Sequence, residues 1–279
     1  MFQAELLAGQ RILVTGGGSG LGAAMARRFA ELGASLLLCG RRAEVLEATA
    51  EALRARGATV ATARCDVRDA SAVDAMVEQA WADAPIDVLV NNAAATFIAP
   101  TESLSPRAAD AVLATSLHGA LYATLALGRR WIEHSRRGTV LSMLSTSTIT
   151  GRAYTVPSAI AKSGLLAMTR SLAVEWGPKG IRLVAIAPGP FPTAGSDRQL
   201  SPSERASADA RVALNPVGRV GHADELADLA SYLISSRAAY INGEMVTIDG
   251  GAHLRTSGAE DLLAWTSEQW AALRAQRAR

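Results

Sequence analysis

Short apolar runs keep returning along this chain between stretches of helical spacing, and that alternation restricts it to very few folds. Arg11-Ile-Leu-Val-Thr15 reads as a strand and Leu21 to Leu32 as a helix with apolar residues at helical spacing. Ser35-Leu-Leu-Leu-Cys39 is a second strand, followed by a charged helix through Val45, Leu46 and Leu53. Thr59 to Ala63 predicts a third strand, with a helix from about Ser71 to Trp81 behind it. Asp87 to Val90, Gly138 to Ser142, Ile181 to Ile186 and Met245 to Ile248 supply the other four of seven. Strands without polar alternation, separated by helices, are buried on both faces, which is the condition of a parallel sheet covered on each side. Right-handed crossovers then give an α/β, doubly wound, Rossmann-like arrangement with ligand at the carboxyl ends of the strands. A chain of 279 residues suits one such domain, with a body over about 8–252 and a C-terminal extension over about 253–279.

Charge and cysteine content narrow the function. The formal charge of +2 comes from scattered groups, whereas a nucleic-acid surface needs clustered Lys and Arg. Arg129-Arg130 and Arg136-Arg137 fit a solvated helix end. Cys39 and Cys65 are too few for a disulfide framework or a zinc site, and they fit buried free thiols of a reducing compartment. Met1 to Glu5 lacks a basic region before a long apolar one, and no apolar run reaches the ~20 residues that cross a bilayer. The expectation is a soluble, cytoplasmic protein. From Gly189 to about 207, Pro, Ser and Gly crowd without periodicity, as in a lid or binding loop.

Thr15-Gly-Gly-Gly-Ser-Gly-Leu-Gly22 places glycines at 16, 20 and 22 between a strand and a helix. Glycine permits positive φ in the turn and close approach of backbone to a pyrophosphate, which the helix N-terminus then attracts. In that context the motif predicts a nicotinamide dinucleotide site. The second strand ends in Cys39-Gly40-Arg41-Arg42, with no acid to take a ribose 2′-hydroxyl. Arg41 suits a 2′-phosphate instead, so NADP is expected, although two solvated arginines opening a helix would look the same. Asp66, after the third strand, is placed to accept from the adenine amino group.

With these motifs the chain resembles the short-chain dehydrogenase/reductases. Within them, Asn91 to Pro106, Val156-Pro-Ser-Ala-Ile-Ala-Lys162, Ala187-Pro-Gly-Pro190 and the tail with Glu268-Gln-Trp270 are similar to the 2,4-dienoyl-CoA reductases. The resemblance implies an NADPH-dependent reductase of enoyl thioesters, commonly tetrameric. It implies cofactor contacts at Gly16, Gly17, Gly18, Ser19, Gly20, Leu21, Arg41, Asp66, Val67, Asn92, Lys162, Pro188, Gly189, Pro190 and Phe191. It also implies acyl-CoA contacts at Arg68, Phe97 and Ser105, with a further basic one near Arg198.

The proton is the difficulty. Most short-chain reductases carry a tyrosine four residues before the lysine; here Ser158 stands there, as it does in the dienoyl-CoA family. The mitochondrial-type members of that family add a tyrosine and an asparagine that hold the thioester oxygen, and here those positions are Ser147 and Thr96. Aliphatic hydroxyls donate hydrogen bonds but are not competent acids near neutral pH. Three candidates remain: a water under Asp249, as the peroxisomal branch implies; Tyr154 in the loop before the lysine helix; and His118 in a helical pattern. Each has a plain alternative, respectively a turn-forming aspartate, a packing aromatic and a satisfied helix histidine. Ser116 replaces the asparagine that anchors a relay water in many relatives. The rivals to a dienoyl-CoA reductase are a ketone or alcohol oxidoreductase using Tyr154, and a non-catalytic paralogue that binds NADP or acyl-CoA.

Overall fold

A computed structural model describes residues 5–193, 212, 215–255, 262 and 264–277. Seven strands form, β1 (Arg11–Thr15), β2 (Ser35–Gly40), β3 (Val60–Arg64), β4 (Val88–Asn91), β5 (Gly138–Met143), β6 (Ile181–Pro188) and β7 (Met245–Ile248). All pair in parallel, in the order β3-β2-β1-β4-β5-β6-β7. Because successive strand residues point to opposite faces, each strand feeds two cores. Ile12 and Val14 of β1 join the core under α1 (Gly20–Glu31), α2 (Ala43–Arg54) and α8 (Ala223–Ile234), with Met25, Phe29, Leu46 and Leu226. Leu13, between them, joins the opposite core under α3 (Ala70–Asp83), α5 (Gly119–Glu133) and α7 (Val156–Trp176), with Val77, Leu127, Trp131 and Trp176.

Boundaries moved where a partner overrode local composition. β3 starts at Val60, one residue later than its apolar run suggests, because Val60 is registered against Leu36 of β2. β6 continues two residues past its predicted end, since Ala187 and Pro188 pair with Thr247 and Ile248 of the edge strand β7. A proline closing a strand removes no internal ladder bond. The Ser71 helix gains a residue in front because Asp69 caps it, accepting from the backbone N–H of Ser71 and Ala72.

The helix after β4 is also different from a plain helical repeat. α4 (Pro106–Leu113) passes into a wide turn, Ala114–His118, with i→i+5 geometry before α5 begins. Such turns absorb one extra residue and leave no mark in apolar periodicity. The short α6 (Ser147–Thr150) follows β5, and α9 (Ser267–Arg277) lies in the C-terminal extension.

Two indoles fill space left by missing side chains. Trp131 is fully buried and donates from Nε1 to the Ile86 carbonyl at 2.6 Å. A Cβ on Gly138 would fall within the Trp131 ring, and one on Gly128 within that of Trp176. Overpacking a filled core costs about 1–3 kcal/mol. Gly138→Ala is therefore expected to lower Tm by about 2–5 °C, read by thermal denaturation; an unchanged Tm would contradict this packing.

Candidate active site

The strand order reverses between β1 and β4, and a set of hydrogen bonds holds their carboxyl ends together. Thr15 Oγ1 donates to the Val90 carbonyl (3.2 Å) and accepts from the N–H of Asn92 (3.0 Å) and Ala93 (3.1 Å). Asn92 returns two bonds from Nδ2, to the carbonyls of Thr15 (3.0 Å) and Gly16 (3.2 Å). Gly16 has φ 66° and Gly20 φ 56°, both left-handed. Gly22 has no room for a Cβ, which would meet the Gly16 carbonyl and Asn92 Nδ2. Ser19 begins α1 in extended geometry without capping it, and no acid occupies the first turn. The unpaired N–H groups and positive end of α1 therefore face the cleft.

That cleft has a volume of about 370 Å³ and runs from the glycine turn past Arg41, Asp66 and Val67 to Asn92 and Thr96. Gly17 lies beneath, against Leu38, and Gly20 stands opposite Thr193, which also lines the cleft. Arg41 and Arg42 are exposed and make no ion pair among the described residues, and no carboxylate ends β2. Cys39 and Cys65 are free, buried thiols in the cleft wall. A glycine turn in which Gly17 and Gly22 have no space for a Cβ, a helix N-terminus and two guanidiniums without ion pairs among the described residues fit a dinucleotide. Asp66 does not stand alone: Arg68 Nη2 (2.6 Å) and Nε (3.0 Å) donate to its carboxylate. The Arg68 guanidinium, with help from Arg41, holds the Asp66 carboxyl below its ordinary range. This pair is exposed and worth at most about 1 kcal/mol.

The other end of the site is built on β5 and α7. Lys162 is buried, and its Nζ donates to the carbonyl of Met143, the last residue of β5, at 2.5 Å. Burial lowers its pKa from 10.5 to about 8. Ser158 lies one helical turn earlier on the same face. Just beyond β5, Ser147 is buried and its N–H donates to Ser145 Oγ at 3.3 Å. The hydroxyls of Ser147, Ser158 and Thr96 make no hydrogen bond among the described residues. Phe97 is half-buried in the irregular segment after β4, whereas Ser105 is exposed and caps α4 by accepting from Ala108 N–H. Ser116, fully buried in the wide turn, ties that segment down through both the N–H and the carbonyl of Ala95.

The three proton candidates separate clearly in position. Tyr154 is 59% exposed, in a loop with φ 62°, and only its backbone carbonyl is engaged, by Ala99. His118 is exposed and packs beside Tyr122, 6.1 Å between ring centroids. Asp249 is buried at the end of β7: Oδ1 accepts from Gly251 N–H (2.9 Å) and Oδ2 from His253 N–H (2.8 Å). Its Oδ2 also meets His253 Nδ1 at 2.8 Å. Gly189, following Pro188, sits against Asp249 with no room for a Cβ, and Phe191 packs on Gly221. Gly221 N–H in turn donates to the Pro190 carbonyl at 3.0 Å. Arg198 lies outside the described residues. His253, Ser145 and Thr193 were not anticipated; of these only His253 had a legible signal, its spacing of four from Asp249.

Comparison with known proteins places the chain in a family. The family described as Enoyl-(Acyl carrier protein) reductase matches residues 16–253. A "Probable 2,4-dienoyl-CoA reductase" of Bacillus subtilis, (2E)-enoyl-CoA-producing, is 43% identical over 245 residues, 87% of this chain and 96% of the relative. A crystal structure of a short chain dehydrogenase from Bacillus anthracis superimposes with TM-score 0.80 at 39% identity, over 88% of this chain and 98% of that one. A gluconate 5-dehydrogenase from Burkholderia cenocepacia, solved with NADP and tartrate, gives TM-score 0.84 at 29% identity, over 91% and 99%. The chain belongs to the short-chain dehydrogenase/reductase family and is an oxidoreductase.

The buried lysine makes a testable demand on stability. Between pH 8 and 10.5 the unfolded chain keeps the proton that folded Lys162 has released, so this group's contribution to stability rises with pH across that window. Relative to Lys162→Met, the wild type is expected to gain on the order of 3 kcal/mol from one end to the other. Urea unfolding at a series of pH values measures it; parallel stability profiles would mean that the ammonium is not desolvated.

Proposed function

We propose that the chain is an NADPH-dependent reductase of a 2,4-dienoyl-CoA or a related enoyl thioester. The observation that carries this reading is the absence of a phenol beside Lys162: Ser158 occupies the position one turn earlier, and Tyr154 is 59% exposed. Reduction of a ketone makes an alkoxide that needs an acid at once. Conjugate reduction of a thioester spreads the charge over a dienolate, whose oxygen needs only hydrogen-bond donors while carbon is protonated. Hydroxyls serve the first of those needs.

When bound, the cofactor supplies a hydride to the δ carbon of the thioester. The chain's own residues do the rest. The N-terminus of α1 and the Gly16–Leu21 turn hold the pyrophosphate, and Arg41, with Arg42 beside it, takes the 2′-phosphate. Asp66, Val67 and Asn92 shape the adenosine wall. Lys162 orients the nicotinamide ribose and adds positive charge, and Pro188 to Phe191 form the far wall. Ser147 and Thr96 donate to the thioester oxygen, Ser158 steadies the carboxamide or substrate, and Arg68, Phe97 and Ser105 meet the CoA portion. Proton delivery belongs to the Asp249 end of the site. The Bacillus relative is named for a (2E)-enoyl product and a Caenorhabditis elegans relative for a (3E) one. Protonation at the α carbon, expected here, gives the 3-enoyl product.

Purified protein should oxidise NADPH in the presence of a 2,4-dienoyl-CoA and give a 3-enoyl-CoA; indifference to every acyl-CoA would end the reading. Since a strong oxyanion donor is worth ~100-fold or more, the double substitution Ser147→Tyr with Thr96→Asn is expected to raise kcat about 10–100-fold. For the cofactor, Arg41→Ala should weaken NADPH binding about 10–100-fold, the value of one charge-assisted bond, and leave NADH binding unchanged. Calorimetry showing equal losses for both would remove the 2′-phosphate assignment. The likeness to gluconate 5-dehydrogenase favours a second reading, a ketone or alcohol oxidoreductase. A sugar acid or ketone turned over in preference to any thioester would select it.

A further inference from the structure

Asp249 was expected to hold a proton-bearing water, but its carboxylate is already committed. The side chain is 4% exposed. Three hydrogen bonds converge on it, two from the backbone N–H groups of Gly251 and His253 and one at the His253 ring. The contact at Nδ1, 2.8 Å from Oδ2, fixes the ring's orientation and directs Nε2 away from the carboxylate. That second nitrogen makes no hydrogen bond among the described residues, and the side chain is 18% exposed. A buried carboxylate behind an imidazole with one free nitrogen is the arrangement that orients a general acid or base. Of the four histidines, the other three are exposed: His118, His134 against Trp81, and His222 at the start of α8.

Its position supports use in the reaction. Asp249 lies at the carboxyl end of β7 against Gly189, whose N–H donates to the Ile248 carbonyl at 2.9 Å. The segment that begins at Gly189 reaches Thr193, which stands opposite Gly20 and lines the dinucleotide cleft. The pair therefore lies at the carboxyl end of the sheet, the end that also carries the dinucleotide cleft and the Lys162 bond to Met143, one strand away across β6.

We propose that His253 is the proton donor that replaces the missing phenol, with Asp249 as its positioning residue. The inference deepens the reductase reading and rests on it. Hydride from NADPH reduces the thioester by two electrons and leaves a dienolate. The Nε2–H bond of the imidazolium then breaks as a C–H bond forms at the α carbon, using the dienolate's electron pair. The neutral ring keeps its Nδ1–H on Asp249, and solvent returns a proton to Nε2.

The test uses the full-length wild type with His253→Gln, His253→Ala and Asp249→Asn. Loss of a general acid is worth ~100-fold or more, so His253→Gln should lower kcat at least that far, with KM and NADPH binding by fluorescence within about 3-fold. Added imidazole should restore part of the rate of His253→Ala, which a merely structural role would not allow. In the wild type, kcat should fall as pH rises through the midpoint at which nuclear magnetic resonance shows the His253 ring losing its proton. The charged groups to be separated from it there are Asp249, Arg255 and Lys162, the last titrating near 8. Asp249→Asn should change the tautomer seen in the nitrogen spectrum. This wild-type measurement decides the matter even if a variant fails to fold.

A His253→Gln enzyme with wild-type kcat, or a rate indifferent to the ring's protonation, overturns the proposal and leaves the dienoyl-CoA reading intact. So does loss of turnover on Asp249→Asn alone, which would return the role to a water. A wild type that ignores dienoyl-CoA but reduces another acceptor removes the thioester reading, and the same variants then judge His253 on that acceptor. Inertness toward every acceptor overturns both.

Discussion

Everything at the carboxyl edge of the sheet depends on how Thr15 and Asn92 join β1 to β4. Parallel strands flanking a point of reversal have no chain crossing above them, so their ends would splay unless something else held them. One hydroxyl and one amide do so with five hydrogen bonds. The same amide leaves no space for a side chain at Gly22. The glycine turn is thus pressed close to the strand ends, and the start of α1 opens onto the cleft without a side chain of its own in the way. A recognition surface made of backbone tolerates few substitutions, because its shape is set by what is missing.

The reacting end follows a different economy. Here the polar groups are weak donors, three hydroxyls without protein partners among the described residues, around a lysine that burial makes reluctant to stay charged. In a low-dielectric site a single ammonium has a long reach, and a neighbour that accumulates negative charge during reaction would favour its protonated form. The free lysine and the occupied one therefore differ in charge preference around pH 8 and above. Opposite it, on the far side of β6, Asp249 is satisfied by its own turn rather than by solvent.

How much of this was legible depended on whether a signal was local. The seven strands and their parallel pairing could be read because each is an apolar run, and the glycine motif could be read because its conformation is demanded by its own residues. β3 was misplaced by one residue because Leu36, twenty-four positions earlier, sets its register. The wide turn at Ala114–His118 was invisible, since the apolar spacing on each side is ordinary. Arg68 was read as reaching a substrate, while its nearest acid, two residues back, engages it. Ser116 had a family position but not its bonding to Ala95, which needs a loop no periodicity describes. The pairing of Asp249 with His253 was present as a spacing of four and passed over, because two glycines between them disguise the turn that brings them together.

The wide turn between α4 and α5 governs what a change there can disturb. Its five residues hold one more than the regular spiral would, and Ser116 within it is bonded to both the N–H and the carbonyl of Ala95. Because the turn takes up the extra residue, Ala123, Leu127 and Trp131 beyond it keep their phase on the core. Removing the extra residue would close the spiral without turning α5; what would go is the hydroxyl that tethers the segment after β4, leaving the helix whole and the loop untied.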